Sequence, residues 1–284
     1  MTKKGRLRNG LAGLLLALSL IAPLTASAGV DMGGKAVTTV FSDAEIDQLM
    51  KVTGIESSIA AAPALVRAAV ERGQPDISDD QRLQLADVTN NGRIVDLLIE
   101  MVRNDVRTKL DVKSFKEITE WFTSPTGKKL IAAEQNAAKP DGREKMQKAM
   151  LNGAATVLDF DRSRLLNDLD FATRASATQK LTLDDFLAIL SVHTNNEQKF
   201  QEVQKSILVA QRDMENNMLY AMNSVYEEVT DDEIRAYVNF YRTPVGQKWV
   251  DILRSATRSL WRLVNESSVN FLVASEKAPM AVPR

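Results

Sequence analysis

The stretch YVNFYRTPVGQKW at residues 237–249 repeats the pattern of the stretch ITEWFTSPTGKKL at residues 118–130. At an offset of 119 residues the two stretches align four pairs of identical or similar residues: Ser124 with Thr243, Pro125 with Pro244, Gly127 with Gly246 and Lys129 with Lys248. Apolar residues upstream also align, with the spacing of one helical face: Phe115 with Ile234, Ile118 with Tyr237, Trp121 with Phe240 and Phe122 with Tyr241. The chain therefore carries one helical pattern twice, which predicts an internal duplication.

The proline in each copy predicts a sharp joint between two helices. A Ser or Thr directly before it is a natural N-cap, because its side-chain oxygen can accept a hydrogen bond from a free amide of the first turn. Proline in the first helical position loses no hydrogen bond, and it disfavours helical geometry in the residue before it. A glycine two positions later predicts that a neighbouring backbone or aromatic ring approaches closely. The predicted structural motif consists of Ser124, Pro125, Gly127, Thr243, Pro244 and Gly246.

Helix signals recur along the rest of the chain, whereas the alternation typical of strands is almost absent. Four segments resemble capping boxes, in which a Ser or Thr side chain and an acidic or amide side chain three residues later satisfy the first amides of a helix. They begin at Ser42, Ser78, Thr182 and Thr230. Breaks rich in Gly, Pro and Asn at residues 73–75, 90–92 and 139–142 separate the helical segments. The sequence predicts an all-α chain.

These signals predict two related multi-helix units joined by a helical connection. The first helical unit spans residues 42–136, the connection spans residues 137–181, and the second helical unit spans residues 182–276. The start of the second unit is placed at Thr182 because of its cap signal.

Both ends of the chain have a distinct composition. Residues 1–28 have the three parts of a secretory signal peptide: a basic stretch, an apolar run of about 14 residues and the small residues Ala26-Ser27-Ala28. The run is shorter than the roughly 20 residues that a membrane-spanning helix needs, so we expect cleavage after Ala28 and no span thereafter. Residues 29–40, with three glycines, predict a flexible leader, and residues 277–284, with two prolines, predict a frayed tail.

The composition argues against several kinds of partner and cofactor. The chain has no Cys, which excludes disulfides and thiolate metal ligands. Removing the four basic residues of the signal peptide leaves 32 Lys and Arg against 37 Asp and Glu, a net charge of −5. This mild acidity, without any basic run, argues against nucleic acid as the partner. We expect no cofactor and no metal.

The pattern F-Y-x-[S/T]-P-x-G-x-K is met in full from Phe240 to Lys248, and from Trp121 to Lys129 with other aromatic residues in the first two positions. It resembles the domain-of-unknown-function family 2059. The resemblance implies a helical, exported protein of the kind found mostly in Gram-negative bacteria, and therefore a periplasmic location. The family has no established biochemical role, so the resemblance supplies no catalytic residues.

Candidates for catalytic chemistry are sparse. The one histidine, His193, lies where a helix is expected to end, and it has no second His or G-x-S-x-G sequence with which to form a metal site or a triad. Acidic residues cluster within residues 76–80, 159–161, 184–185 and 227–233, mostly at predicted helix starts, where they complement the helix dipole. A carboxylate-dependent hydrolase would need two acids from different helices facing one cleft, one of them with a raised pKa. We predict that this pair is absent.

Two functions remain open, and a third is weaker. Met214, Met218, Met222 and Trp249 form a candidate apolar groove, although methionine stripes at helical spacing are more typical of a core. The leading hypothesis is a non-enzymatic periplasmic binding or protein-interaction module with an unknown envelope partner, because no convergent polar site is evident. The alternative is a carrier of a lipid or other apolar envelope molecule, and the hydrolase is the third hypothesis. A homo-oligomer also stays open, and it would favour the interaction module.

Overall fold

The computed structural model describes residues 41–61, 63, 93–152, 158–193 and 197–277, and the regular structure in these ranges is entirely helical. This confirms the predicted all-α class. The predicted signal peptide, leader and cap at Ser78 lie outside the described residues, as do residues 278–284 of the tail and the breaks at 73–75 and 90–92. The duplication stays a prediction from the sequence.

The helices follow one another with short connections. Their bounds are α1 Asp43–Val52, α2 Arg93–Lys109, α3 Val112–Thr123, α4 Pro125–Ala137, α5 Pro140–Leu151, α6 Phe160–Thr173, α7 Ala175–His193, α8 Glu197–Val225, α9 Asp231–Arg242 and α10 Pro244–Lys277. Residues 55–61 are also helical. The break predicted at residues 139–142 is present, since α4 ends at Ala137 and α5 begins at Pro140.

Two of the predicted capping boxes are present. The Glu45 amide donates to the Ser42 hydroxyl at 3.3 Å, and the Ser42 amide donates to the Glu45 carboxylate at 2.9 Å. The same pair of bonds joins Thr230 and Glu233, at 3.3 and 2.8 Å. Each box satisfies two amides that the helix itself leaves free, and this fixes the starts of α1 and α9.

The cap predicted at Thr182 is wrong, because Thr182 lies inside α7. That helix begins earlier, at Ala175, directly after Arg174 turns the chain with a φ of 56°. The Thr182 hydroxyl donates instead to the carbonyl of Thr178, one turn back, at 3.0 Å. Asp185 is therefore not at a helix start either, and its carboxylate accepts from Arg258 at 3.1 Å. The start predicted for the second unit thus falls within a helix.

Long-range packing gathers the helices around one contiguous core. Helix α7 packs on α10, α5 on α8, α6 on α9, and α2 on α10. The buried core runs from Phe41, just before α1, to Ala256 in α10, and its largest fully buried side chains include Trp249, Tyr237 and Phe122. None of the described helices is long and apolar enough to cross a membrane.

Candidate functional site

The two proline joints have the same local geometry. The Ser124 hydroxyl accepts from the Gly127 amide at 3.1 Å and donates to the carbonyl of Trp121 at 2.6 Å. The Thr243 hydroxyl accepts from the Gly246 amide at 2.9 Å and donates to the carbonyl of Phe240 at 2.7 Å. One hydroxyl therefore caps the end of one helix and the start of the next, and α4 and α10 begin at the prolines.

The glycine of each joint lies against the backbone of the helix before it. A Cβ atom added to Gly127 would lie 2.8 Å from the Cα of Phe122, and one added to Gly246 would lie 2.7 Å from the Cα of Tyr241. The added Cβ atom would lie closer still to the carbonyl oxygen of Trp121 in the first case and of Phe240 in the second. The predicted close approach is therefore to backbone. Gly142 lies against the backbone before it in the same way, at a position where the sequence predicted only a break. Lys139 precedes the proline there and provides no side-chain cap.

The lysine that follows each joint reaches the start of the other copy's aromatic helix. The Lys129 ammonium donates to the Glu233 carboxylate of α9 at 2.7 Å. The Lys248 ammonium donates to the Asp111 carboxylate at 2.6 Å and to the Ser114 hydroxyl at 3.0 Å, at the start of α3. Lys129 lowers the pKa of Glu233, and Lys248 lowers the pKa of Asp111. The two helix pairs, α3–α4 and α9–α10, thus exchange equivalent contacts.

Aromatic rings fill the space between these pairs. The Trp121 ring stacks on Phe240, with centroids 4.4 Å apart, and on Tyr237, with centroids 5.1 Å apart. Phe122 meets Phe240 edge-on at 5.5 Å and Trp249 at 6.2 Å. Stacked and edge-on ring pairs have preferred geometries, and they stabilise the fold beyond the burial of their apolar area. The aromatic residues of the two motifs therefore pack on each other.

A carboxyl group adjoins this aromatic layer. The Glu134 Oε1 atom accepts from the Tyr226 hydroxyl at 2.8 Å and from the Tyr237 hydroxyl at 2.9 Å. The Tyr241 hydroxyl in turn donates to the Tyr237 oxygen at 2.9 Å. The network joins α4 to α9 and to the residue that follows α8. We call these four residues the Glu134 network.

Burial dominates the electrostatics of the Glu134 network. It raises the pKa of Glu134 to about 7, against the opposing effect of the two tyrosine hydroxyls. Burial, followed by the charge of Glu134, raises the pKa of Tyr226 and of Tyr237 well above the ordinary value. The tyrosines therefore stay protonated as donors, and Glu134 alone changes its charge near neutral pH.

A raised carboxyl pKa is half of the arrangement that the hydrolase hypothesis requires. The other half is a second carboxylate, and among the described residues the groups that shift the pKa of Glu134 or bond to it are phenols. The described residues also include no group of three or more His, Asp or Glu side chains arranged to hold a metal ion. The network can hold a proton and position three helical segments.

The residues of the candidate groove lie in the core where the structure describes them. Met218 and Met222 of α8 are each 8 % exposed, and Trp249 of α10 is fully buried. Met214 lies in α8, and its side chain is outside the described part. His193 is the last residue of α7, the position predicted for it.

The sequence motifs did not single out Glu134, although its spacing from the buried residues of α4 indicates an inward position. The inward face of α4 carries Gly127, Leu130 and Ile131, which are buried. Glu134 follows them at the helical spacing of three, four and seven residues, so it continues the same face. At the matching position of the second copy the chain has Leu253. An acid on an apolar helical face predicts a buried polar network.

Residues 222–268 match a protein family described as "Uncharacterized protein conserved in bacteria (DUF2059)". This confirms the resemblance that the motif from Phe240 to Lys248 indicates. The matched segment holds the three tyrosines of the Glu134 network, whereas Glu134 itself lies before it. No curated protein and no solved structure matches the chain.

Proposed function

We propose that this chain is an exported, non-enzymatic interaction module of the bacterial envelope, built from two related helical units, and that it binds a partner protein through one face of α6. The observation that supports this proposal is the exposure of two large aromatic side chains on that helix. Phe160 is 77 % exposed and Phe171 is 80 % exposed. Aromatic residues are enriched in the cores of protein–protein interfaces, and these two share one helical face.

The two phenylalanines belong to one stripe. Helix α6 buries Leu165, Leu166 and Leu169 on its inner side, where it packs on α9. Its outer side carries Phe160, Arg164, Asn167 and Phe171, all exposed and spaced by four, three and four residues. This spacing sets the four on one helical face, with the rings about 16 Å apart along the axis. We call these four residues the α6 stripe.

The chemistry of the α6 stripe favours a protein as the occupant. Aromatic residues and Arg are enriched at the centres of protein interfaces, where they contribute most of the binding energy. An anionic lipid surface would instead reward a cluster of basic residues. Arg164 stands beside Asp161, with nitrogen and oxygen 3.5 Å apart, so this face has no excess of positive charge.

The proposed absence of catalysis rests on the chemistry of the polar site. In the Glu134 network a single carboxyl group is bonded to phenols, and the aromatic layer beside it is packed. Such a network suits a scaffold, whereas acid-base catalysis on sugars or esters needs a second positioned group.

Replacing both phenylalanines by serine is expected to weaken partner binding at least about tenfold, because the removed rings are the large apolar groups of the stripe. The partner is first identified by a photo-crosslinking amino acid at position 171 in intact cells, and its purified form is then titrated by calorimetry. The melting temperature should stay within about 2 °C of wild type, since neither ring is in the core.

The matched control is Leu151→Ser, which removes another exposed apolar side chain, 74 % exposed, at the end of α5. It should bind the partner as wild type does. Equal affinity of wild type and the Phe160→Ser/Phe171→Ser protein would reject the α6 stripe as the binding surface. A crosslink to lipid in place of protein would reject the protein partner.

The export part of the proposal predicts the mass of the mature protein. Cleavage after Ala28 leaves a chain that begins at Gly29, and intact mass spectrometry of periplasmic protein should give that mass. The variant Ala28→Leu should accumulate in its uncleaved form, because the cleavage site requires a small residue. Recovery of the full-length wild-type chain from the cytoplasm would contradict export.

A further inference from the structure

Arg254 of α10 is a buried cation that forms no ion pair within the described residues. Its side chain and backbone together are 4 % exposed, and within the described structure its Nε and Nη1 atoms have no hydrogen-bond partner. Buried polar groups are bonded in the great majority of cases, and an unpaired buried charge is among the costliest features a fold can retain. Its persistence in a packed helix pair points to an acceptor that arrives from outside.

The position of Arg254 follows from two contacts between α10 and the α7 region. Arg174, which precedes α7, donates to the Gln247 side chain at 3.1 Å. Arg258 donates to Asp185 at 3.1 Å. Both contacts span 73 residues, so α7 and α10 run parallel, and Arg254 lies at the level of residue 181.

The surroundings at this level are polar although they are buried. Thr178 and Thr182 of α7 flank residue 181 and are each 4 % exposed. One turn along α10 from Arg254, Thr257 is also 4 % exposed, and its hydroxyl has no partner among the described residues. A guanidinium and a hydroxyl three residues apart on one helix lie on the same face, and both can donate to one acceptor.

Charged groups of α10 and of the residue before α7 act on Arg254. Burial, followed by the charge of Arg174, lowers the pKa of Arg254 to about 10, Asp251 opposes this shift, and Arg258 adds to it. Arg254 therefore stays charged at neutral pH. The Asp185 carboxylate is already paired with Arg258.

We infer that Arg254 and Thr257 bind an oxyanion, the carboxylate or phosphate group of a small ligand, between α7 and α10. Guanidinium groups bind both kinds of oxyanion through charge-assisted hydrogen bonds, and these are strongest where water is excluded. The inference does not depend on the α6 stripe. It adds a second binding site, for a small anion, to the proposed interaction module.

The test is thermal unfolding of the mature protein in acetate and, separately, in phosphate, each against chloride at the same ionic strength. A ligand that binds only the folded state raises its melting temperature as concentration rises. We expect acetate or phosphate to raise the melting temperature of wild type, and the more effective anion identifies the group. Arg254→Met and Thr257→Val should each bind the probe more weakly, the former roughly tenfold or more.

The matched control is Arg235→Met, which removes an exposed arginine of α9 that pairs only locally with Asp232. It should respond to the anions as wild type does. If Arg254→Met does not fold, Arg254→Lys replaces it, since lysine keeps the charge and loses the planar fork. Equal responses of wild type and the Arg254 variant, or no response in wild type beyond that in chloride, would overturn the site and indicate an acceptor within the chain.

Discussion

Replacing Gly246 by alanine is expected to destabilise the protein by about 1–3 kcal/mol, as measured by urea unfolding. The direction of this change in stability is informative, because a glycine-to-alanine replacement within a helix ordinarily stabilises the protein by up to about 1 kcal/mol. At this joint a Cβ atom would lie 2.7 Å from the Cα of Tyr241, and closer still to the carbonyl of Phe240. Helices α9 and α10 would have to move apart, and the aromatic layer between the two helix pairs would lose its contacts.

The neighbouring change Pro244→Ala is the control for this prediction. Thr243 would still cap α10 through its bond to the Gly246 amide, so the loss of the proline should cost little. Gly127→Ala should behave as Gly246→Ala does, since a Cβ atom there meets the Phe122 Cα at 2.8 Å. A Gly246→Ala protein with the urea midpoint of wild type would show that the joint has room for a side chain.

The joints were predictable because their chemistry is local. A hydroxyl, a proline and a glycine within four residues determine where one helix stops and the next begins, and the spacing of apolar residues determines the class. The same local logic failed at Thr182. Thr182 has a cap signal, but it lies inside a helix that begins directly after Arg174. A threonine within a helix can donate to the carbonyl one turn earlier, as Thr182 does.

The long-range contacts were beyond prediction for a different reason. The contacts of Lys129 and Lys248 with the opposite helix pair depend on how the two pairs approach each other. No local spacing in the sequence encodes this approach. The α6 stripe was hidden because its two phenylalanines lie on the outer side of the helix and obscure the apolar pattern of the inner side. The burial of Arg254 was not predicted, because an arginine side chain ordinarily extends its charged end to solvent.

Replacing Glu134 by glutamine is expected to stabilise the protein by roughly 3 kcal/mol at pH 8 and by less than about 1 kcal/mol at pH 5. The folded-state pKa of Glu134 is about 7, above its ordinary value of 4.5. Between these values the folded protein retains a proton that the unfolded chain has lost. The unfolded state then binds fewer protons, so the stability of wild type falls as pH rises through this window and levels off above it.

Glutamine removes this dependence because it is neutral at every pH and its side-chain oxygen can still accept from Tyr226 and Tyr237. Leucine, the residue at the matching position of the second copy, would also be neutral. It would however leave two buried hydroxyls without their acceptor, so Glu134→Leu should be less stable than Glu134→Gln by about 1–3 kcal/mol. The two variants together separate the cost of the charge from the value of the hydrogen bonds.

The pH-dependent difference is tested by urea unfolding of wild type, Glu134→Gln and Glu120→Gln at pH 5, 6.5 and 8. Glu120 of α3 is an exposed acid whose side chain is 65 % accessible, and its replacement should shift the stability by less than about 0.5 kcal/mol at each pH. Carboxylates with a lowered pKa, such as Glu233, reduce the stability of the protein only when the pH falls below about 4.5, which is outside this range. A constant difference between wild type and Glu134→Gln from pH 5 to 8 would mean that Glu134 is ionised in the folded protein throughout, and that the helix junction is held by a charged rather than a neutral carboxyl group.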